Sequence, residues 1–234
     1  MLILLASTNP HKLDEIRAVI DGGALDWQTL SDVPGGDAVA EPVEDADTFA
    51  GNATIKARHY AQATGEWCLA DDSGIEVDAL DGAPGVISAR YAGAGGDRAE
   101  RDLANNRKLL AELEGVPADR RTARFVCAMV LIAPPDQPLP AGVKSAVAPD
   151  PEGPVIASVR GTIEGRIILP DEAADPARPE LGRGANGFGY DPLFLLPERG
   201  ITTAELSPED KNAISHRGNA ARAMREKLST LGVL

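Results

Sequence analysis

Two adjacent carboxylates, Asp71 and Asp72, are the residues in this chain most suited to chemistry. The short apolar run at 68–70 predicts a buried strand that ends at this pair, with Ser73 and Gly74 following. Neighbouring residues on an extended chain point to opposite sides, so at least one carboxylate should face a cleft. Crowded carboxylates favour a bound hard cation, which indicates magnesium and phosphate chemistry. The alternative is that the two Asp residues only open a turn.

A second candidate lies near the start, where the predicted strand at 2–6 leads directly into a helix. Asn9 is suited to cap that helix and Pro10 to occupy its first position. The free N–H groups of a helix N-terminus attract anions, and Ser7, Thr8 and Lys12 would surround whatever binds there. The alternative is a capped helix with a solvated lysine.

The block FGYDPLF places two aromatic residues, Phe188 and Tyr190, beside glycines. Such rings could form a platform on which a nucleobase stacks, or they could be an aromatic pair packed in the core. Further on, Lys211, His216 and Arg217 bring three cationic or titratable groups into seven residues. They could belong to a binding pocket or to a solvated helix face.

Glycines 182, 184 and 187 match the pattern G-x-G-x-x-G, which in dinucleotide-binding proteins follows a strand and opens a helix. Here the glycines lie at the end of a predicted linker at 170–187, with a Pro-rich polar run before them and the block FGYDP after them. We therefore reject the dinucleotide interpretation.

The composition excludes several classes of protein. A formal net charge of −13 argues against non-specific nucleic-acid binding, and it means that a polyphosphate substrate needs local positive charge or a metal. The start, MLILLA, predicts a first strand rather than a signal peptide, and the longest apolar run, 125–133, is too short to span a bilayer. We expect a soluble cytoplasmic protein. Cys68 and Cys127 lie in apolar runs and are predicted to be reduced core residues, and with only three His no zinc pattern can be built.

The elements that must position these residues alternate between strands and helices. A helix capped by Thr48 should run to about Thr64 and end at Gly65, and a capping box should start another at Asp97. Residues 122–133 are apolar on both faces and predict a central strand, whereas 155–169 predict strand material interrupted at Gly161 and Gly165. The pattern predicts a twisted, mixed sheet.

Six segments, taken in order, resemble the RdgB/HAM1 family of inosine triphosphate pyrophosphatases. These segments are ASTNPHK, TFAGNATIKAR, LADDSGIEVDALDGAPGVISARYAG, TARFVCA, GFGYDPLF and KNAISHRGNA. The resemblance covers nearly the whole chain. It implies a single α/β domain over 1–234, with a long mixed sheet, flanking helices and two lobes around a nucleotide-binding cleft. It also implies a homodimer, Mg²⁺ as cofactor, and hydrolysis of ITP, dITP or XTP to the monophosphate and pyrophosphate, which cleanses the nucleotide pool.

The resemblance also implies roles for particular residues. Asp72 would be the general base and a metal ligand, with Asp71 beside it as a further candidate metal ligand, and Ser73 would contact substrate. The triphosphate would be held by Ser7, Thr8, Asn9, Pro10, His11 and Lys12. The nucleotide pocket would be formed by Phe188, which stacks on the base, and by Gly189, Tyr190, Asp191, Lys211, His216 and Arg217.

One position departs from the family pattern. The family often has two consecutive acidic residues before the helix that begins after Thr48, and here the matching positions are Val43 and Glu44. We therefore take Glu44 as the candidate second metal ligand. Two alternatives stay open: a Maf-like pyrophosphatase acting on dTTP or UTP, and a nucleotide-binding regulator that has lost catalysis.

Overall fold

The computed structural model describes residues 2–6, 16, 17, 19, 20, 25–135, 137–139, 143 and 150–234. Within these residues the chain forms seven strands and four α-helices whose first and last residues are both described. The strands are β1 (Leu2–Leu5), β2 (Asp26–Thr29), β3 (Trp67–Val77), β4 (Thr122–Ile132), β5 (Val155–Ile167), β6 (Phe194–Leu196) and β7 (Ile201–Thr202). The helices are α1 (Phe49–Thr64), α2 (Arg98–Glu112), α3 (Pro208–Ile214) and α4 (His216–Thr230).

The strands of the described residues form one mixed sheet in the order β2-β1-β3-β4-β5-β6-β7. Strand β1 runs parallel to both of its neighbours, and β6 runs antiparallel to both of its own. The predicted α/β class with a long mixed sheet is confirmed. The predicted central strand is also confirmed, because β4 lies fourth of seven and almost all of its residues are buried.

The chain divides into two compact units. Unit 1 comprises Met1–Asp72, Cys127–Gly161 and His216–Leu234, and unit 2 comprises Ser73–Val126 and Thr162–Ser215. The boundaries fall at or within β3, β4 and β5, so each of these strands contributes residues to both units.

In unit 1 the sheet is covered on both faces, and the alternation of side chains along each strand decides which face a residue joins. In β1, Ile3 and Leu5 pack in the cluster that contains Met224 and Leu228 of α4. Leu4 and Ala6 belong instead to the cluster that contains the α1 residues Ala53, Ala57, Tyr60 and Ala61. The sequence of β1 is accordingly a continuous apolar run, as expected for a parallel strand buried on both faces.

Local capping signals fix the ends of the helices. The Thr48 hydroxyl accepts a hydrogen bond from the Gly51 N–H at 3.0 Å, and α1 ends at Thr64, before the C-cap Gly65, whose φ of 73° is left-handed. At the start of α2, Asp97 and Glu100 accept hydrogen bonds from each other's backbone N–H at 2.9 and 3.0 Å. Both predicted helix starts and the predicted C-cap are confirmed.

The core of unit 2 packs α2 against strands and turns of the same unit. Its buried residues include Ile75 of β3, Leu109 of α2, and Leu113 at the C-cap of that helix. Phe125 and Phe194 also belong to this core, and their ring centroids lie 4.5 Å apart. Residues 170–187, predicted as a linker, contain two short 3-10 helices, and no strand leads directly into the glycines at 182–187. The rejection of the dinucleotide motif is thus confirmed.

The predicted interruption of β5 at its glycines is wrong, because the strand continues without a break from Val155 to Ile167. Gly161 serves close packing rather than a turn. A Cβ placed there would lie 2.2 Å from the Ala220 nitrogen and 2.3 Å from the His216 oxygen of α4. A glycine at this position lets the helix backbone approach the strand directly.

Both cysteines are buried and free, as predicted. Among the described residues, no helix is long and apolar enough to cross a membrane. Of the helix predicted after Pro10, only four residues are described, and two of these, Ile16 and Ile20, are buried in the unit 1 core.

Candidate active site

Strand β3 continues through Asp71 and Asp72 as far as Val77, and this corrects two interpretations of the pair. The carboxylates do not stand at the end of a short strand, and they do not open a turn. Because the chain is extended, Asp71 continues the face of Trp67 and Leu69, and Asp72 continues the opposite face. The two carboxylates consequently have different partners, as the alternation predicts.

Asp72 lies beside α1. The Asn52 side-chain amide donates to the Asp72 carboxylate at 3.1 Å, and Asn52, which is 1% exposed, accepts from the Ala46 N–H at 2.9 Å. Burial raises the pKa of Asp72, and the nearby carboxylates add to the effect, while Lys56 and the Asn52 hydrogen bond oppose it. A carboxylate with a raised pKa is a better proton acceptor from water than an ordinary one.

Lys56, one helical turn after Asn52, brings an ammonium group among these acids. Its Nζ atom lies 3.1 Å from the Glu44 carboxylate and donates to the Asp71 main-chain oxygen at 3.0 Å. Burial by itself lowers the pKa of Lys56, but the surrounding carboxylates outweigh it and the pKa is raised. We call Glu44, Asp71 and Asp72, together with Asn52 and Lys56, the acidic cluster.

Asn52 and Lys56 were not identified from the sequence as site residues. The sequence did contain an indication of these two residues, because they are four residues apart in the helix that Thr48 caps and so lie on one face of it. The spacing alone does not show which strand packs against this face.

Asp71 points to the other side of the sheet and is 3% exposed. Its carboxylate lies 3.7 Å from the Arg217 guanidinium at the start of α4, and the Cys127 thiol lies 3.9 Å away. Arg217 and His216 are 4% and 9% exposed, so the alternative of a solvated helix face is wrong for both. Arg217 partly compensates the buried charge of Asp71.

The acidic cluster offers oxygen donors of the kind that hard divalent cations take. The described residues contain no group of three or more His, Cys, Asp or Glu side chains that could hold a metal ion by themselves. A small hard cation that keeps several waters needs only one or two carboxylates and completes its shell with substrate phosphates. Asp71 is engaged by Arg217, so the donors that fit this pattern are Glu44 and Asp72.

In unit 2 a tight turn at 187–191 is built on a buried ion pair. The Asp191 carboxylate accepts from Lys211 Nζ at 2.5 Å, from the Phe188 N–H at 2.9 Å and from the Thr203 hydroxyl at 2.8 Å. Gly187 has a φ of 82°, and a Cβ there would lie 2.2 Å from the Asp191 carboxylate and 2.7 Å from Lys211 Nζ. Only glycine leaves room for the pair. We call residues 187–191 the aromatic turn.

The two aromatic residues of this turn have different environments. Tyr190 is 5% exposed, donates its hydroxyl to the Ser88 oxygen at 2.9 Å, and has a pKa raised by burial. Phe188 is 43% exposed, with Arg98 at 4.5 Å and Lys211 at 5.4 Å from its ring centroid. The interpretation as a core residue therefore applies to Tyr190, and Phe188 is the ring available for stacking.

The structure brings the predicted site residues together in two groups. Glu44, Asp71, Asp72, His216 and Arg217 belong to unit 1, whereas Phe188, Gly189, Tyr190, Asp191 and Lys211 belong to unit 2. Ser73 follows Asp72 on β3 and begins unit 2. The six residues of the predicted anion site, Ser7, Thr8, Asn9, Pro10, His11 and Lys12, lie outside the described residues.

These features define an α/β protein that carries a partly buried carboxylate and lysine cluster and an exposed aromatic ring beside a buried lysine–aspartate pair. Comparison with known proteins is specific. The Ham1 family profile matches residues 3–227. Proteins named dITP/XTP pyrophosphatase from Exiguobacterium sibiricum and Thioalkalivibrio sulfidiphilus are 42% and 45% identical to this chain, over 98% and 97% of its length and 98% of theirs.

Solved structures agree with the sequence comparison. A HAM1 protein from Coxiella burnetii superposes with a TM-score of 0.76 at 35% identity, over 98% of both chains. A dITP/XTP pyrophosphatase from Mycobacterium abscessus superposes with a TM-score of 0.67 at 41% identity, over 96% of this chain and 98% of that one. The chain belongs to the Ham1 family.

Proposed function

We propose that this protein hydrolyses non-canonical purine nucleoside triphosphates, namely ITP, dITP and XTP, to the nucleoside monophosphate and pyrophosphate. The observation that carries the proposal is the near full-length similarity to relatives named dITP/XTP pyrophosphatase, at 42% and 45% identity. The site supports it with the two kinds of group that a nucleotide needs: charged residues suited to phosphates and an exposed ring suited to a base. As one catalytic unit, the chain would use both in the same reaction.

In this proposal Glu44 and Asp72 would hold a divalent cation, Mg²⁺, which when bound would neutralise phosphate charge and acidify water. Asp71 supports the cluster from the opposite face of β3. Lys56 offsets the concentrated negative charge and offers a donor to phosphate oxygens. The predicted anion site, Ser7 to Lys12, binds the triphosphate with Lys12 as its clamp, and Ser73 adds a hydroxyl contact.

Asp72 is the proposed general base. It takes a proton from the water whose oxygen forms the new bond to the α-phosphorus, and the bond from that phosphorus to the bridging oxygen breaks. Pyrophosphate leaves with the electron pair, and the nucleoside monophosphate remains. The Asn52 hydrogen bond at 3.1 Å supports this role because it holds the Asp72 carboxylate in one orientation.

The aromatic turn is proposed to bind the base. Phe188 stacks on the purine, and Lys211 donates to its 6-oxo group while Asp191 fixes the lysine in place. His216 and Arg217 complete the pocket toward the base edge or the phosphates, and Gly189 and Tyr190 line it through their backbone. Adenine presents a 6-amino donor where the oxo acceptor should be, so donors in the site would be left unpaired, and such a mismatch costs a factor of about 10⁴ or more.

The experiment that tests this function is a turnover panel. Purified protein with Mg²⁺ is offered ITP, dITP, XTP, GTP, ATP, dTTP and UTP, and the products are separated by chromatography. We expect pyrophosphate to be released from ITP, dITP and XTP in preference to the others. Preferential hydrolysis of dTTP or UTP would identify a Maf-like activity instead, and binding of ITP without turnover would identify a nucleotide-binding regulator.

The family resemblance also implies a homodimer, and the sequence predicts a cytoplasmic protein; we propose both for this chain. Light scattering coupled to size-exclusion chromatography measures the oligomeric state, and a molar mass of one chain, 24.5 kDa, at micromolar concentration would contradict the homodimer.

A further inference from the structure

One face of helix α2 makes three contacts with the aromatic turn. Arg98, Asp102 and Asn106 are spaced four residues apart and so follow one another along the same side of the helix. The Arg98 guanidinium lies 4.5 Å from the centroid of the Phe188 ring. Asp102 and Asn106 both contact the next residue, Gly189.

The backbone of Gly189 is held at both of its polar atoms. Its N–H donates to the Asp102 carboxylate at 2.9 Å, and its oxygen accepts from the Asn106 side-chain amide at 3.3 Å. Asn106 also donates to the Glu180 oxygen at 3.2 Å and is 4% exposed, so its own position is fixed. Because Gly189 has a left-handed φ of 60° and no side chain, these two hydrogen bonds, with the one from the Asp191 N–H to the Phe188 oxygen at 3.2 Å, orient its peptide groups.

The helix that supplies these contacts is itself well anchored. The capping box between Asp97 and Glu100 orders the first turn, which contains Arg98. Further along, the buried side chains of Leu109 and Leu110 tie the helix to the core of unit 2. The α2 face can therefore act as a rigid support for a turn whose ring is exposed.

We propose that Asp102 and Arg98 are positioning residues for base recognition. Asp102 orients the Phe188–Gly189 peptide, and Arg98 holds the Phe188 ring through a cation–π contact. Together they keep the ring in a position where a purine can stack on it. The inference rests on the proposed function, in which Phe188 stacks on the base. Neither residue takes part in the bond-making step, so both act on the affinity for the base and not on the rate of hydrolysis.

The test compares substrates that have a base with a ligand that has none. For Asp102→Ala, which removes the acceptor of the Gly189 N–H, we expect the KM for ITP to rise about ten-fold. We expect kcat to stay within about two-fold, because an interaction made equally in ground state and transition state changes KM alone. The inhibition constant of ribose 5′-triphosphate, which has phosphates but no base to stack, should be unchanged.

Three further variants separate positioning from general damage. Asp102→Asn keeps an oxygen acceptor of the same size and should restore the wild-type KM. Arg98→Ala should raise the KM for ITP about three-fold, which is what loss of an exposed cation–π contact gives. Arg101→Ala is the matched control, since this arginine lies on the same helix and its guanidinium donates to the Gly96 oxygen at 2.6 Å; its KM should equal that of the wild type.

An unchanged KM for ITP in Asp102→Ala would overturn the proposal. So would an equal loss of affinity for ITP and for ribose 5′-triphosphate, because that pattern indicates a damaged fold and not a displaced ring. The wild-type protein alone tests the proposed function, and if it hydrolyses no purine triphosphate, the proposed function fails and this inference fails with it.

Discussion

Replacing Asp191 by alanine should destabilise the protein far more than removing its ion-pair partner Lys211. The Asp191 carboxylate is 5% exposed and accepts from three donors: Lys211, the Phe188 N–H and the Thr203 hydroxyl. The alanine variant leaves all three donors without this acceptor and leaves the lysine charge, 18% exposed, without its counter-charge. Lys211→Met removes only one of the three donors, and the other two continue to stabilise the carboxylate.

The expected magnitudes follow from this asymmetry. Removing one partner of a buried ion pair costs about 3–5 kcal/mol because the other charge is left uncompensated, and Asp191→Ala also leaves the Phe188 and Thr203 donors unpaired. After Lys211→Met the carboxylate keeps these two donors, which compensate part of its charge and reduce the cost to about 1–3 kcal/mol. For a chain of this size, each kcal/mol corresponds to about 2–4 °C in Tm, so Asp191→Ala should lower the Tm by about 6–20 °C. The double variant should cost less than the sum of the two single variants, since the residues share one interaction.

The assay is urea and thermal unfolding followed by far-UV circular dichroism on the wild type, both single variants and the double variant. Arg178→Met serves as the control, because this arginine is 55% exposed and lies 3.9 Å from Glu180. Glu180 keeps its closer ion pair with Arg107 at 3.0 Å, so loss of the exposed Arg178 should cost less than about 0.5 kcal/mol. The reasoning would be refuted if Lys211→Met proved as costly as Asp191→Ala, or if the two effects were additive.

Three further outcomes are expected. Asp72→Asn should lower turnover of ITP at least about 100-fold, as expected for loss of a general base, while equilibrium binding of ITP is retained; normal turnover would contradict the assigned role. Arg166 holds the pKa of Glu172 at about 2, below the ordinary value of 4.5, so its stabilisation is complete above pH 4.5 and is lost between that pH and 2. Glu172→Gln should therefore be less stable in urea at pH 7 by about 1–2 kcal/mol, with a difference that shrinks toward pH 2; a constant difference would count against the ion pair. Gly161→Ala, whose Cβ would meet the backbone of α4 at 2.2 Å, should cost more than about 2 kcal/mol, whereas Gly95→Ala, with nothing within 4 Å, should stay within about 0.5 kcal/mol in the same urea measurement.

Features that depend on neighbouring residues could be predicted from the sequence. The ends of α1 follow from the Thr48 cap and the left-handed Gly65, and the start of α2 follows from the capping box at Asp97. Strand β4 was predicted to be central because its residues are apolar on both faces. The six segments that indicated the family could likewise be recognised from the sequence, and the match to the Ham1 family profile confirms that identification.

Features that depend on contacts between distant segments were decided only by the tertiary structure. Asp71 and Asp72 carry the signature of a turn, yet pairing with neighbouring strands keeps β3 extended through them, because propensity is a weak preference that tertiary context overrides. The burial of Tyr190 and the exposure of Phe188 likewise depend on what packs against each ring.

The same division applies to the site. The sequence alone determined which carboxylates, lysines and aromatic residues are candidates, because residue type and local spacing are enough to show what chemistry a side chain can perform. It did not place Lys56 and Asn52 beside Asp72, or the face of Arg98 and Asp102 beside the aromatic turn. Those neighbours come from parts of the chain that only folding brings together, so the tertiary structure decided the environment in which each candidate acts.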